Sequence, residues 1–140
     1  MAMTRILERL YLGCAGDADH LAVSNPLGIT AVVNVETQPN RSKRDGIRYV
    51  HFPIDESERV LPGTFGPVMG ALTQLIRTRK VLVHCEIGSS RAPVVAALYL
   101  HAVGYENFDD ALAEIKGLRP IVSPSKSTIA SAKAYLEETI

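Results

Sequence analysis

Residues 81–99 read VLVHCEIGSSRAPVVAALY. Lys80 to His84, KVLVH, is a short run rich in β-branched residues, the composition of a strand buried on both faces. Ala92 to Val103 is apolar almost all round, which marks a buried helix. Cys85, Glu86, Ile87, Gly88, Ser89 and Ser90 lie between them, and Arg91 opens the helix. A loop joining a strand end to a helix start gathers backbone N–H groups at one spot. The helix adds roughly half a positive charge there. A phosphate is the natural occupant.

Each residue type has a task in such a loop. Cys85 stands where a thiolate, the nucleophilic form of cysteine, is favoured. Gly88 lets the backbone turn and approach an oxyanion. Ser89 and Ser90 are small enough to leave the cradle open. Arg91 can grip two phosphate oxygens with its planar fork, which lysine cannot. His84 can hold the loop from the strand side and help keep Cys85 ionised.

Outward from this stretch, strand-like runs occur at Arg9 to Gly13, Thr30 to Val35 (TAVVNV) and Ile47 to Ile54 (IRYVHFPI). Asp17 reads as the N-cap of a helix to about Ser24. Phe65, Val68, Met69, Leu72, Leu75 and Ile76 recur at helical spacing within Pro62 to Arg79. Asn107 caps a further helix with Phe108, Ala111, Leu112 and Ile115 facing inward. Ser123 followed by Pro124 reads as the start of the last helix, bearing Ile129, Ala132 and Leu136. Alternation of strands and helices predicts a single α/β domain over residues 1–140, with a central, mostly parallel sheet of four to five strands flanked by helices. Thr37 to Gly46, with Arg41, Lys43 and Arg44, reads as a solvated loop.

Composition supports this class. The chain has 140 residues, 46% of them hydrophobic and 21% charged, enough for one domain with a real core. Fifteen basic residues balance fifteen acidic ones, which speaks against a nucleic-acid or anionic-membrane partner. Met1 to Leu12 has no apolar signal core, and no apolar run approaches the ~18–20 residues of a membrane span. Cys14 and Cys85 are too few for a disulfide scaffold. A reduced, cytoplasmic protein is expected. No metal-like spacing of His, Cys or Asp appears, and neither metal nor cofactor is expected.

The segment HCEIGSSR resembles the His-Cys-x5-Arg signature of the protein tyrosine phosphatase superfamily, and its flanks are most similar to the small dual-specificity phosphatases. RILERLYLG near the start, GITAVVNVE at Gly28 to Glu36, IRYVHFPIDES at Ile47 to Ser57 and RPIVSPS at Arg119 to Ser125 extend the resemblance over nearly the whole chain. It implies a phosphatase acting on phosphotyrosine and phosphoserine or phosphothreonine of a protein or peptide. It also implies a phosphocysteine intermediate on Cys85, with Arg91 and the 86–90 amides holding the phosphate. Asp55, thirty residues ahead of Cys85, is the expected acid for the leaving group, with Glu56 and Glu58 as rivals. Two positions depart from the family's pattern. Ala92 stands where a hydroxyl commonly aids thiolate departure, implying slower breakdown of the intermediate. Ser125 stands where asparagine often fixes the loop. Arg119 falls where some relatives carry a second anion-binding arginine, with a structural arginine as the equal alternative. A phosphate-binding module with little turnover, or an enzyme acting on a phosphoinositide or an RNA 5′ end, are the other readings left open.

Overall fold

The computed structural model describes residues 2–57, 59–104 and 107–138. The rival acid Glu58 lies outside the described residues. Strands β1 (Thr4–Leu7) and β2 (Leu10–Gly13) lead into helix α1 (Ala15–His20), followed by β3 (Ala31–Asn34) and β4 (Arg48–His51). A 3₁₀ turn (Pro62–Thr64) introduces α2 (Phe65–Leu75). Then come β5 (Val81–His84), α3 (Arg91–Val103), α4 (Phe108–Leu118) and α5 (Lys126–Glu138).

The sheet has five strands in the order β1-β2-β5-β3-β4. β2, β5, β3 and β4 pair in parallel, and only β1 runs antiparallel, on the edge beside β2. Every residue of β2, β3 and β5 is buried, as strands covered on both faces must be. Period-two alternation divides them. Leu10, Leu12, Val33, Val81 and Val83 face the main core with α2 and α3, while Tyr11, Val32 and Leu82 face a smaller one with Ala18, Leu21 and Ile29. Phe65, Val68 and Leu72 form the buried stripe of α2, each fully inside and stabilising by about 1.5–3 kcal/mol.

Two helix starts differ from expectation. The cap of α1 is Cys14, not Asp17. Asp17 sits one turn in and reaches back, its Oδ2 accepting from the Cys14 N–H at 3.0 Å and from Sγ at 3.3 Å. The helix expected within Pro62 to Arg79 runs over Phe65–Leu75, preceded by a 3₁₀ turn at Pro62–Thr64. The last helix starts at Lys126, two residues later than Ser123-Pro124 suggests. There Ser125 Oγ accepts from the Thr128 N–H at 3.2 Å, and the Ser123 N–H is used elsewhere. Asn107 does cap α4, its Oδ1 accepting from the Asp110 N–H at 2.8 Å.

All four parallel strands end on one side. The segments after Gly13, Asn34, His51 and His84 therefore converge at the carboxyl edge of the sheet, where open α/β folds place their ligands.

Candidate active site

The loop after β5 is held from outside by its carbonyls. His84 Nδ1 lies 3.1 Å from the Cys85 carbonyl. The Ala15 N–H donates to Glu86 O at 3.0 Å, and the Ser123 N–H to Ser89 O at 2.7 Å. Between them, Arg119 donates from Nε to Gly88 O at 3.0 Å and from Nη2 to Ile87 O at 3.4 Å. Within a trans peptide unit the C=O and N–H point in opposite directions, and no peptide among the described residues is cis. Fixing the carbonyls of residues 85–89 outward therefore turns the N–H groups of Glu86, Ile87, Gly88, Ser89 and Ser90 inward. The result is a ring of donors at the start of α3, a preformed anion cradle.

Cys85 sits at the base of this ring, 2% exposed. With Glu56, Glu86, Ile87, Ser89, Ser90 and Arg91 it lines a cavity of about 140 Å³. A larger cavity of about 430 Å³ beside it is lined by Glu36, Asn40, Arg41, His84, Glu86 and others, but by neither Cys85 nor Arg91. The nucleophile belongs to the smaller one. Arg91 is steered by the strand-to-acid segment: its Nη1 donates to Ile54 O at 2.9 Å, and its Nε lies 3.8 Å from Glu56 Oε1.

His84 is wholly buried, and its proton can be assigned from its neighbours. The Cys85 carbonyl only accepts, so Nδ1 carries the hydrogen. Nε2 then accepts from Asn40 Nδ2 at 2.9 Å. Burial pushes the imidazole below its ordinary pKa of 6.5, against the opposing pull of the Cys85 carbonyl. The ring is thus a neutral strut between the nucleophile's backbone and the 35–40 loop. An unfolded chain protonates His84 before the folded one does, so stability falls as pH drops below about 6.5 and does not recover down to the lowered folded value. Melting temperatures from pH 8 to pH 5 should show this decline, at most about 1.4 kcal/mol per pH unit, and His84→Gln should flatten it.

The two adjacent acids part company. Asp55 is exposed and accepts from the Ser57 N–H at 2.9 Å and its Oγ at 2.6 Å. These bonds hold its carboxyl below the ordinary 3.8. Asp55 does not line the Cys85 cavity, whereas Glu56 does, and Glu56 Oε1 is buried with no hydrogen-bond partner among the described residues. Glu36, near His84, is raised above 4.5 by burial and then by Glu86.

The structure places the two departures, at 92 and 125, and also Arg119. Ala92 is wholly buried. Ser90 lines the cavity and its Oγ accepts from the Ser125 N–H at 3.2 Å, so the backbone of residue 125 ties the loop. Arg119 is 2% exposed beneath the loop, out of reach of an external anion. Its role there carries no sequence signal beyond its segment, because the partners of its side chain are remote carbonyls. Among the described residues no group of three or more His, Cys, Asp or Glu could hold a metal ion. Among them, too, no helix is long and apolar enough to cross a membrane.

Residues 10–137 match the family model described as dual specificity phosphatase, catalytic domain. Dual specificity protein phosphatase 1-A of Xenopus laevis is 29% identical over 124 residues, 87% of this chain and 34% of the relative. Dual specificity protein phosphatase 5 of Rattus norvegicus is 29% identical over 137 residues, 96% of this chain and 36% of the relative. The chain thus spans about a third of the length of these curated relatives. Among solved structures, a mouse putative dual specificity phosphatase complexed with zinc tungstate superposes with a TM-score of 0.83 at 28% identity, covering 97% of this chain and 87% of that one. Human DUSP28 superposes with a TM-score of 0.80 at 26% identity, covering 97% of this chain and 96% of that one.

Proposed function

The chain belongs to the dual-specificity phosphatase catalytic-domain family, and from that premise we propose that it hydrolyses phosphate monoesters on protein side chains, phosphotyrosine and phosphoserine or phosphothreonine, through a phosphocysteine. The observation that carries this reading is the ring of inward amides around Cys85. Tungstate, bound by the mouse relative, is an oxyanion that mimics the phosphoryl group such a ring would hold. The match over residues 10–137 supports one catalytic domain, and dependence on a free thiol supports a reducing, cytoplasmic compartment.

Cys85 attacks phosphorus and the leaving oxygen departs with a proton from an acid on the 55–56 segment. The amides of 86–90 and the Arg91 guanidinium stabilise the equatorial oxygens throughout. The same acid, now a base, takes a proton from water as its oxygen attacks the phosphocysteine. Inorganic phosphate leaves and the thiolate returns. Glu56 is the better placed donor, since it lines the cavity beside Arg91 while Asp55 is committed to Ser57.

The test compares Glu56→Gln with Asp55→Asn on two aryl phosphates, one with a basic leaving group and one with an acidic one. Glu56→Gln should lower kcat on the basic leaving group by about 10²–10⁴-fold and much less on the acidic one. Asp55→Asn should stay near wild type. The opposite pattern would move the acid to Asp55, and an inert wild type across pH 5–8 would sink the phosphatase reading.

A further inference from the structure

Arg119 is among the largest fully buried side chains of the molecule, and its charge meets no carboxylate among the described residues. Its four acceptors are neutral. Two are the consecutive loop carbonyls of Ile87 and Gly88. The others are Ala2 O and Thr4 Oγ1, each 3.0 Å from Nη1, at the edge strand β1. Burying a guanidinium without an anion is costly, and such groups persist where a further partner completes them. Gly88 fits this arrangement tightly. Its φ is +78°, and a Cβ there would lie 2.7 Å from Arg119 Nη2 and 2.6 Å from Gly13 O.

We propose that Arg119 is a positioning residue for phosphate transfer: by gripping the carbonyls of Ile87 and Gly88 from below, it aims the N–H groups of Gly88 and Ser89 at the phosphoryl oxygens. This deepens the phosphatase reading and rests on it. The other loop carbonyls are held by backbone amides or by His84, which the fold supplies whatever residue stands at 119. The two central ones depend on this side chain. Its planar fork can reach both at once, and its charge sits beneath the bound dianion without touching it. Lysine, a point donor, would supply the charge and hold one carbonyl at most.

The probe is tungstate, titrated into the full chain labelled with ¹⁵N, with melting temperature and aryl phosphatase kinetics measured alongside. In the wild type the Gly88 and Ser89 amide protons should shift strongly downfield on binding. Arg119→Met should bind tungstate and turn over aryl phosphate about 10²-fold less well, the scale of losing oxyanion donors. Arg119→Lys should melt close to wild type yet stay about tenfold down in both, with weakened shifts at Gly88 and Ser89. That split between folding and binding is what a merely structural arginine would not produce, and Arg119→Lys keeps the test open if the methionine variant does not fold. Wild-type tungstate affinity and amide shifts in folded Arg119→Lys would overturn the proposal while leaving the phosphatase reading intact. Strong wild-type shifts lost in Arg119→Lys, without aryl phosphate hydrolysis by wild type, would support the positioning role and overturn the phosphatase reading.

Discussion

Cys85→Ser is expected to abolish aryl phosphate hydrolysis, by at least about 10⁴-fold, while tungstate binding remains in place. A serine hydroxyl is not ionised at neutral pH, and its oxygen is a far weaker nucleophile than a thiolate. His84 faces the Cys85 carbonyl and Asn40 rather than the reacting atom. No other described residue lines the cavity in a position to replace the nucleophile: Ser89 and Ser90 sit on the wall, with Ser90 Oγ tied to the Ser125 N–H. The cradle is built from main-chain amides whose carbonyls are anchored elsewhere, so exchanging sulfur for oxygen leaves it standing. Steady-state turnover and a tungstate titration on the same preparation check both halves. Residual turnover within tenfold of wild type would remove Cys85 from the reaction.

The second large effect is expected at Gly88. Gly88→Ala forces an L side chain to a φ of +78° and drives its Cβ to 2.6 Å from Gly13 O and 2.8 Å from Gly13 C. Neither is the end of a flexible side chain. Gly13 is the last residue of β2, paired in register with His84, so giving way means moving a central strand. Conformational strain and this clash together should cost about 3 kcal/mol or more, and the melting temperature should fall by about 10 °C. Tungstate affinity should fall with it, because relaxing the contact swings the Gly88 carbonyl off Arg119 and its neighbouring amides out of the ring. A melting temperature within about 2 °C of wild type would show that the loop has slack that these distances deny.

The parts of this fold legible in the sequence are those governed by periodicity. TAVVNV and KVLVH announce buried strands because their central residues are apolar and mostly valine, and Ala92 to Val103 announces a buried helix because it is apolar almost all round. β1 does not announce itself. It has four residues, lies on the edge, is only partly buried and includes the charged Arg5. The starts of α1 and α5 are blurred in the sequence, since Cys14, Asp17, Ser123 and Ser125 offer competing polar side chains within a few residues. The cradle itself is legible from the spacing of Cys85, Gly88 and Arg91. The choice between Asp55 and Glu56 is not. These neighbours lie in a loop without a repeating geometry, so nothing in their order says which turns inward. Arg119 is equally opaque, as its partners lie 31, 32, 115 and 117 positions away.

Those last separations also bear on how the molecule is made. The bond from Arg119 to Ala2 closes most of the chain into one loop, and contacts of such span form late, after the entropy of bringing distant segments together has been met. A chain ending before residue 119 would lack the side chain that holds the Ile87 and Gly88 carbonyls. If Arg119 positions the loop as proposed, the anion cradle is complete only once the sheet edge, the loop and the segment before the last helix have met. The signature from Cys85 to Arg91 would then need the rest of the chain, out to Ala2 and Arg119, before its cradle is set.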